Sequence, residues 1–220
     1  LTFKLENGPV GAAITQSGGV FSWTPTFGQA GVYDVVVSVS DGQLADTAKA
    51  KITVTHVNRA PTFTTKMRDT TINERSTLTF TYVVTDPDAG TTIYYGLASP
   101  PSGASISSNG VLTFTPPATP ARTYLIVVLA SDGSLADTAK ATVTVNRAPT
   151  FTTKMRDTSI SENQALAFAY LATDPDAGTT LTYKLESGLT GATLSTAGAF
   201  SWTPVFGQAG SYNVVVSASD

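Results

Sequence analysis

The chain is built from short stretches in which apolar and polar residues alternate, separated by turns rich in Gly, Pro, Asp and Asn. In residues 76–85, Leu78, Phe80 and Tyr82 fall on one face with threonines between them, which is the two-residue period of a half-buried strand. Residues 123–131 are nearly all apolar, which predicts the most buried strand. No stretch shows the period of an amphipathic helix.

These patterns predict seven strands between residues 58 and 145, and they indicate an all-β fold. The strands are expected at residues 60–64, 76–85, 92–97, 104–107, 111–115, 123–131 and 136–145. The intervening turns include Asp-Pro-Asp-Ala-Gly at 86–90 and Ser-Asn-Gly at 108–110, which are strong turn and hairpin signals. Seven short strands at this spacing favour an antiparallel β-sandwich of the immunoglobulin-like kind.

Three tyrosines support the immunoglobulin-like arrangement. Tyr33, Tyr124 and Tyr212 each open the apolar sixth strand of a unit, and an aliphatic residue follows two positions later. In immunoglobulin domains this spacing is Tyr-x-Cys, and the tyrosine hydroxyl hydrogen-bonds to nearby backbone. Because the chain contains no cysteine, we expect packing alone to close each core.

The same pattern returns along the chain with an offset of 88 residues. The phrase NRAPTFTTKMRDT occurs at 58–70 and again at 146–158, and the match then continues without gaps. Residues 1–57 match the later parts of the other units. We therefore expect a linear tandem array: the C-terminal part of a repeat at 1–57, a complete repeat at 58–145, and the N-terminal and central part of a third at 146–220. Because the chain starts and stops within a repeat, we expect it to belong to a longer polypeptide.

Composition narrows the range of functions. Charged residues make up 13% of the chain and the net charge is −3, which gives no basis for binding nucleic acid. The 37 threonines, with many Val, Ser and Ala, favour strands, and no stretch resembles a membrane span. The single histidine, His56, lies in a linker without a nucleophile beside it, so we predict that the chain is not an enzyme.

Several phrases of the chain are similar to those of a known class of repeats. They are NRAPTF, ISENQ, ATDPDAGTTLTYKL, FSWTP and YNVVVSASD, and the resemblance they carry covers essentially the whole sequence. They resemble cadherin-like and immunoglobulin-like tandem repeats of bacterial extracellular surface proteins. The resemblance implies an extracellular location. Because sandwiches joined by short, Pro-containing linkers stack into a stiff rod, we expect a secreted, non-catalytic region that forms a stiff stalk or extracellular filament in adhesion. Its partners would be neighbouring repeats or other copies of the chain. A calcium-dependent adhesive or carbohydrate-binding module is the alternative.

The resemblance also implies candidate calcium ligands where the linker meets the loops of the following repeat. In such sandwiches the second-to-third loop and the sixth-to-seventh loop lie at the end that receives the linker, and oxygen ligands suit Ca²⁺. The candidates are Asn58, Asp86, Asp88 and Asp132 at the first linker, and Asn146, Asp174, Asp176, Asp220 and Glu74 at the second. We expect about one ion at each junction.

Departures from cadherins leave a second interpretation open. The acidic segment of cadherins is replaced by Leu-Thr-Phe-Thr at 112–115, and the linker shortens to Val145-Asn146-Arg147, so a three-ion cluster cannot form. Arg59 and Arg147 bring a positive charge to each junction and could replace the ion by pairing with Asp. The aspartates also suit plain turns.

Other residues carry weaker hypotheses. Trp23 and Trp202 are either sugar-stacking platforms or core aromatics, and the core interpretation is favoured because phenylalanines share their strand face. Lys66 and Lys154, with aspartates nearby, contain ingredients of an isopeptide bond but lack a convincing buried trio. If the middle repeat binds a glycan or surface ligand, its divergent loops at 99–103 and 116–120 are the expected place.

Overall fold

The computed structural model describes residues 1–118, 122–187 and 189–220, and these residues form strands and turns without a helix. The all-β prediction is confirmed. The chain divides into two compact units, one made of residues 1–62, 85–93 and 131–137, the other of residues 63–84, 94–130 and 138–220. Thr119 and Pro120, from the loop at 116–120, lie outside the described residues.

The first compact unit contains the five strands of the first repeat. They are β1 (Thr2–Asn7), β2 (Ala13–Ile14), β3 (Phe21–Ser22), β4 (Gly31–Ser40) and β5 (Ala45–Val54). Strands β1, β4 and β5 form an antiparallel sheet in that order, and β2 pairs with β3. Val35 of β4 is 5% exposed and marks the best-buried point of this sheet.

The middle repeat has nine strands among its residues that the structure describes. They are β6 (Thr62–Thr65), β7 (Thr70–Asn73), β8 (Leu78–Thr81), β9 (Val83–Thr85), β10 (Tyr94–Leu97), β11 (Ala104–Ile106), β12 (Val111–Phe114), β13 (Thr123–Ser131) and β14 (Ala136–Asn146). One sheet has the order β10-β13-β14-β7, a second has β11-β12-β8, and β6 pairs with β9. Leu112, Phe114, Ile126, Val128 and Val143 are fully buried and form much of the core.

The predicted strand at 76–85 is two strands, and this corrects the sequence interpretation. β8 pairs with β12, whereas β9 pairs with β6, so the chain changes partner at Tyr82. The Tyr82 amide donates to the carbonyl of Gly110 at 2.9 Å, and its ring packs against Phe63 and Phe80. Alternation continues across such a change of partner, and for this reason the pattern alone does not reveal it.

Strand β7 was not predicted, and it pairs in parallel with β14, with Thr70 opposite Val143. Only one apolar residue, Ile72, lies among its four residues, so its sequence carries too little periodicity to show a strand. The preceding Asp69 accepts a hydrogen bond from the amide of Thr142 at 2.7 Å through Oδ1, which ties the segment to β14.

Strand β13 buries one face rather than its whole length. Ile126, Val128 and Ala130 are fully buried, whereas Leu125 is 56% exposed. β14 buries four side chains, Ala139, Ala141, Val143 and Val145, against three in β13, so β13 is not the most buried strand that its sequence predicts. The sheet leaves the other face of β13 partly open, so apolar residues on both faces do not require burial on both.

The third repeat has seven strands in the described residues. They are β15 (Thr150–Thr153), β16 (Leu166–Ala169), β17 (Leu171–Thr173), β18 (Thr182–Leu185), β19 (Thr193–Leu194), β20 (Ala199–Trp202) and β21 (Val216–Ser219). The sheets are β16-β20-β19, β15-β17 and β18-β21. The core is centred on Tyr170, Leu189, Phe200 and Trp202.

Candidate functional site

The candidate calcium ligands gather in two equivalent clusters, each inside one compact unit. The first linker cluster consists of Asn58, Arg59, Asp86, Asp88 and Asp132. The second linker cluster consists of Asn146, Arg147, Asp174, Asp176 and Asp220. In each, the Asn-Arg pair precedes the first strand of a repeat, and the Asp-Pro-Asp loop follows a short strand that pairs with that first strand.

Arg59 binds Asp88 through its backbone and its side chain. The Arg59 amide donates to Asp88 Oδ2 at 2.7 Å, and the guanidinium donates to Oδ1 from Nε at 2.8 Å and from Nη2 at 2.6 Å. Nη2 also donates to the carbonyl of Pro87. Asp88 is only 8% exposed, so the carboxylate of this charge-assisted set is largely shielded from water, whereas the Arg59 side chain is 30% exposed. The set fixes the linker to the loop.

The second linker cluster repeats the arrangement. The Arg147 amide donates to Asp176 Oδ2 at 2.7 Å, and Nε and Nη2 donate to Oδ1 at 3.0 and 2.8 Å. Nη2 also donates to the carbonyl of Pro175 at 2.7 Å. We call each set the Arg–Asp clamp. Its occurrence at both linkers follows from the repeated sequence and shows that the pairing is a property of the repeat.

A second contact connects each linker to the later loop. Asn58 Nδ2 donates to Asp132 Oδ2 at 2.8 Å, and Asn146 Nδ2 donates to Asp220 Oδ2 at 2.6 Å. The remaining oxygen of Asp132, Oδ1, accepts the amides of Ser134 and Leu135, as expected of a turn aspartate. The aspartates thus serve the turn and the linker together.

The first aspartate of each Asp-Pro-Asp loop has one oxygen without a partner. Asp86 Oδ1 accepts the Asp88 amide at 2.8 Å, and Asp174 Oδ1 accepts the Asp176 amide at 2.6 Å. The Oδ2 atoms of Asp86 and Asp174 are buried and have no hydrogen-bond partner. A buried carboxylate oxygen left in this way is a natural place for a water molecule or a cation.

Hydrogen bonds lower the pKa of the clamp aspartates. The pKa of Asp88 is lowered chiefly by the bond from the Arg59 amide, and the guanidinium adds to the effect. The pKa of Asp176 is lowered in the same way by the amide and side chain of Arg147. Both carboxylates are therefore held in the ionised form that the clamp needs.

The first linker cluster has additional contacts from the first repeat. The guanidinium carbon of Arg59 lies 4.8 Å from the centre of the Phe27 ring, and His56 Nε2 lies 3.3 Å from Asp88 Oδ1. A cavity of about 400 Å³ lies beside them. Sequence reasoning did not identify Phe27, because an aromatic residue in an exposed loop carries no periodic signal. Ala118 stands at the equivalent position of the middle repeat.

The geometry of the two linker clusters bears on the predicted calcium sites. Within residues 1–118, 122–187 and 189–220, no three His, Cys, Asp or Glu side chains are grouped so that they could hold a metal ion. The clamp also places a guanidinium where a cation would otherwise sit against Asp88. Glu74 lies beside the second linker, where its amide donates to the Asn146 carbonyl at 2.7 Å. Calcium binding stays a prediction.

The tryptophans belong to the packing of their repeats. Trp202 is 8% exposed, and its Nε1 donates to the carbonyl of Thr190 at 3.2 Å. Trp23 Nε1 donates likewise to Val10 at 3.2 Å. Both indoles lie edge-on to a tyrosine, Tyr33 or Tyr212, with ring centres about 5 Å apart. This arrangement supports the core interpretation over a sugar-stacking platform.

The tyrosine prediction is confirmed in the first and third repeats. The hydroxyl of Tyr33 donates to the carbonyl of Gln29 at 2.9 Å, and that of Tyr212 donates to Gln208 at the same distance.

The isopeptide hypothesis is weakened, because Lys66 is exposed and a backbone amide occupies Asp69. Among the residues described, no helix has the length and apolar character needed to cross a membrane.

Comparison with sequence families identifies the class of the chain. The family described as "Putative Ig domain" matches residues 1–55 and 148–220, and the family described as "Bacterial Ig domain" matches residues 58–146. The first of these covers more than half of the chain, and the chain therefore belongs to this immunoglobulin-like family. Both are structural domain families rather than enzyme families. No curated protein matches the chain.

Cadherin extracellular repeats are among the solved structures with a similar fold. Human CDH23 EC21-23 is 17% identical, with a TM-score of 0.53 over 99% of this chain and 87% of that chain. The protocadherin GammaB4 extracellular domain is 20% identical, with a TM-score of 0.52 over 98% of this chain and 42% of that chain. At these identities the similarity shows the fold alone, and it confirms the predicted cadherin-like, immunoglobulin-like class.

Proposed function

We propose that the chain is a structural repeat region of a secreted bacterial surface protein and forms part of a stiff stalk or extracellular filament used in adhesion. In this proposal residues 1–57, 58–145 and 146–220 belong to successive immunoglobulin-like sandwiches in a linear array. Membership in the immunoglobulin-like families and the cadherin-like fold support an adhesion-type structural role.

The Arg–Asp clamp is the observation that carries the proposal. A stalk resists bending only if each linker is fixed to the repeat that follows it. The clamp supplies this fixation through three hydrogen bonds to one shielded carboxylate, and it does so at both linkers. In the first linker cluster Phe27 holds the same guanidinium from the side of the preceding repeat.

Pulsed electron paramagnetic resonance tests this role, and the absence of cysteine makes labelling straightforward. Spin labels at Lys49→Cys and Lys140→Cys, both exposed, report the distance between the first and middle repeats. We expect a narrow distance distribution for the parent protein and a clearly broader one for Arg59→Ala. The exposed Arg68→Ala serves as the matched control and should leave the width unchanged. An unchanged width in Arg59→Ala would argue against a stiffening role.

Calcium-dependent adhesion is a second candidate, and the unpartnered Oδ2 atoms of Asp86 and Asp174 favour it. The ligands would be the remaining oxygens of the two linker clusters, with Glu74 near the second. Calcium titration of the melting temperature discriminates the two candidates. A rise in melting temperature at millimolar calcium, abolished by Asp86→Asn and Asp174→Asn, supports calcium binding. An unchanged melting temperature supports the Arg–Asp clamp as the contact that fixes the linker.

A further inference from the structure

The sheet face that points away from the core is polar in the first and third repeats. In the first repeat, Lys4 Nζ on β1 donates to Glu6 Oε2 at 2.8 Å, and Ser38 Oγ on β4 donates to Glu6 Oε1 at 2.7 Å. The third repeat has the same polar cluster on β18 and β21, with distances of 2.9 and 2.7 Å, formed by Lys184, Glu186 and Ser217. The lysine side chains are 72% and 75% exposed, so water reaches this face in both repeats.

The middle repeat has small and apolar residues at the same positions. With the offset of 88 residues, Gly96 on β10 replaces the lysine, Ala98 replaces the glutamate, and Leu129 on β13 replaces the serine. On the same face Tyr94 is 61% exposed and Leu125 is 56% exposed. We define the β10–β13 face as the uncharged set Tyr94, Gly96, Ala98, Leu125, Val127 and Leu129. An exposed apolar set on a sheet whose counterparts are polar indicates an interaction surface.

In the β10–β13 face, a row of small residues lies beside a row of large ones. The small row is Gly96, where an added Cβ would have no atom of a non-neighbouring residue within 4 Å, and Ala98. The large row on β13 includes Val127 and Leu129. The Ala98 amide donates to the Val127 carbonyl at 3.0 Å, and the register of the equivalent strands β18 and β21 places Gly96 beside Leu129. The face therefore has a shallow channel along β10 and a ridge along β13.

We propose that the β10–β13 face binds the same face of a second copy of this chain. A two-fold axis parallel to the strands, between β10 and β13, sets the ridge of each copy into the channel of the other, with Leu129 over Gly96 of the second copy. Lys140 flanks the ridge on β14, and this axis keeps its two copies on opposite sides of the contact, so that like charges do not meet. The face is thus complementary to itself in shape and charge, which favours a second copy over an unrelated partner.

The size of the contact predicts a weak and reversible dimer. With strands about 4.8 Å apart and a rise of about 3.4 Å per residue, the contact is about 14 Å wide and about 30 Å long, or about 400 Å² from each copy. The total of about 800 Å² is smaller than in stable complexes and typical of transient contacts. The inference deepens the proposed filament function, on which its use in the cell rests, by naming a surface through which copies meet.

Sedimentation velocity of the 220-residue protein from about 10 μM to about 1 mM tests the proposal. We expect the sedimentation coefficient to rise with concentration towards that of a dimer. The triple variant Gly96→Lys, Ala98→Glu, Leu129→Ser copies the polar cluster of the other repeats, so the same fold accommodates it, and its melting temperature checks this. Its dissociation constant should be at least about tenfold higher, because the charged pair must lose water in the contact. Leu125→Asn, copied from Asn213, should weaken the dimer in the same direction.

Two control variants separate this face from the rest of the molecule. Val83→Lys adds a charge at a residue that is 45% exposed on β9, in a different sheet, and it should dimerise like the parent. Arg59→Ala should also dimerise like the parent, so self-association and linker stiffness fail separately: sedimentation tests the first and the spin labels test the second. A parent that stays monomeric at 1 mM, or folded triple and Leu125→Asn variants that dimerise like the parent, would overturn the proposal. Loss of the dimer in Val83→Lys would refute the assigned face.

Discussion

Replacing Tyr82 with phenylalanine should stabilise the middle repeat, although it removes a polar group from the core. Tyr82 is 1% exposed, and its hydroxyl has no hydrogen-bond partner. Its ring packs edge-on against Phe80 and Phe63, with centres 4.9 and 5.6 Å apart, and the substitution leaves these contacts in place. Tyr82→Phe therefore removes only the unsatisfied hydroxyl.

The magnitude follows from the cost of burying that hydroxyl. An unsatisfied buried polar group costs about 1–3 kcal/mol relative to its hydrated state. The substitution loses some van der Waals contact of the oxygen, so we expect a net gain near the lower end, about 1 kcal/mol. Because about 1.4 kcal/mol corresponds to a tenfold change in an equilibrium constant, amide exchange through unfolding of the middle repeat should slow about fivefold.

Hydrogen exchange read by mass spectrometry at Val111–Phe114 provides the assay, because β12 pairs with β8 beside Tyr82. Tyr170→Phe is the matched control. Its ring has equivalent neighbours, but it is 6% exposed and its hydroxyl is not among the buried unpartnered atoms of the described residues. We expect Tyr170→Phe to change exchange in the third repeat by less than Tyr82→Phe changes it in the middle repeat.

The pH dependence gives an independent check on the same group. Burial raises the pKa of Tyr82 above its usual value of 10.0. The neutral phenol is therefore favoured in the folded state, and the stability of the repeat falls as pH rises above about 10, where the unfolded chain ionises. Tyr82→Phe should reduce this alkaline loss. Faster exchange in Tyr82→Phe at neutral pH, or an unchanged alkaline loss, would refute the reasoning.

Three further predictions concern the linkers and the core. The clamp aspartates have pKa values lowered below 3.8. The stability they contribute is therefore present above about pH 4 and is lost as pH falls through their folded pKa. Acid titration followed by circular dichroism should show that Arg59→Ala loses less folding stability at low pH than the parent. Phe114 is fully buried, so Phe114→Ala should destabilise the middle repeat by about 3–5 kcal/mol in urea denaturation. At Gly103, where φ is +87°, an added Cβ would lie 2.0 Å from the Thr115 carbonyl oxygen, so Gly103→Ala should destabilise far more than Gly133→Ala, where φ is +98° and space is open.

The sequence predicted the fold class and the members of both linker clusters because repetition made the signal strong. The phrases NRAPTF and TDPDAGTT recur at a fixed offset, and they contain Asn58, Arg59 and Asp88 together. Hydrophobic alternation located most strands to within a few residues. The hairpin at 108–110 follows from a turn whose Gly110 adopts a φ of +76°.

Other features depend on contacts that no local pattern carries. The division of residues 76–85 into β8 and β9 arises from different pairing partners on either side of Tyr82. β7 forms because its backbone pairs in parallel with β14. The choice between an ion and an arginine beside Asp88 is also a matter of geometry, since acidic loops of this composition suit both. The Phe27 ring contacts Arg59 of the first linker cluster, and no sequence pattern connects the two residues.

The central claim is that the Arg–Asp clamp fixes the linker without calcium. Its most direct test is the distance distribution between spin labels at Lys49→Cys and Lys140→Cys, recorded with a chelator and again with millimolar calcium. If the Arg–Asp clamp fixes the linker, the distribution is narrow in the chelator, calcium leaves it unchanged, and Arg59→Ala broadens it under both conditions. A distribution that is broad in the chelator and becomes narrow only with calcium would contradict this account.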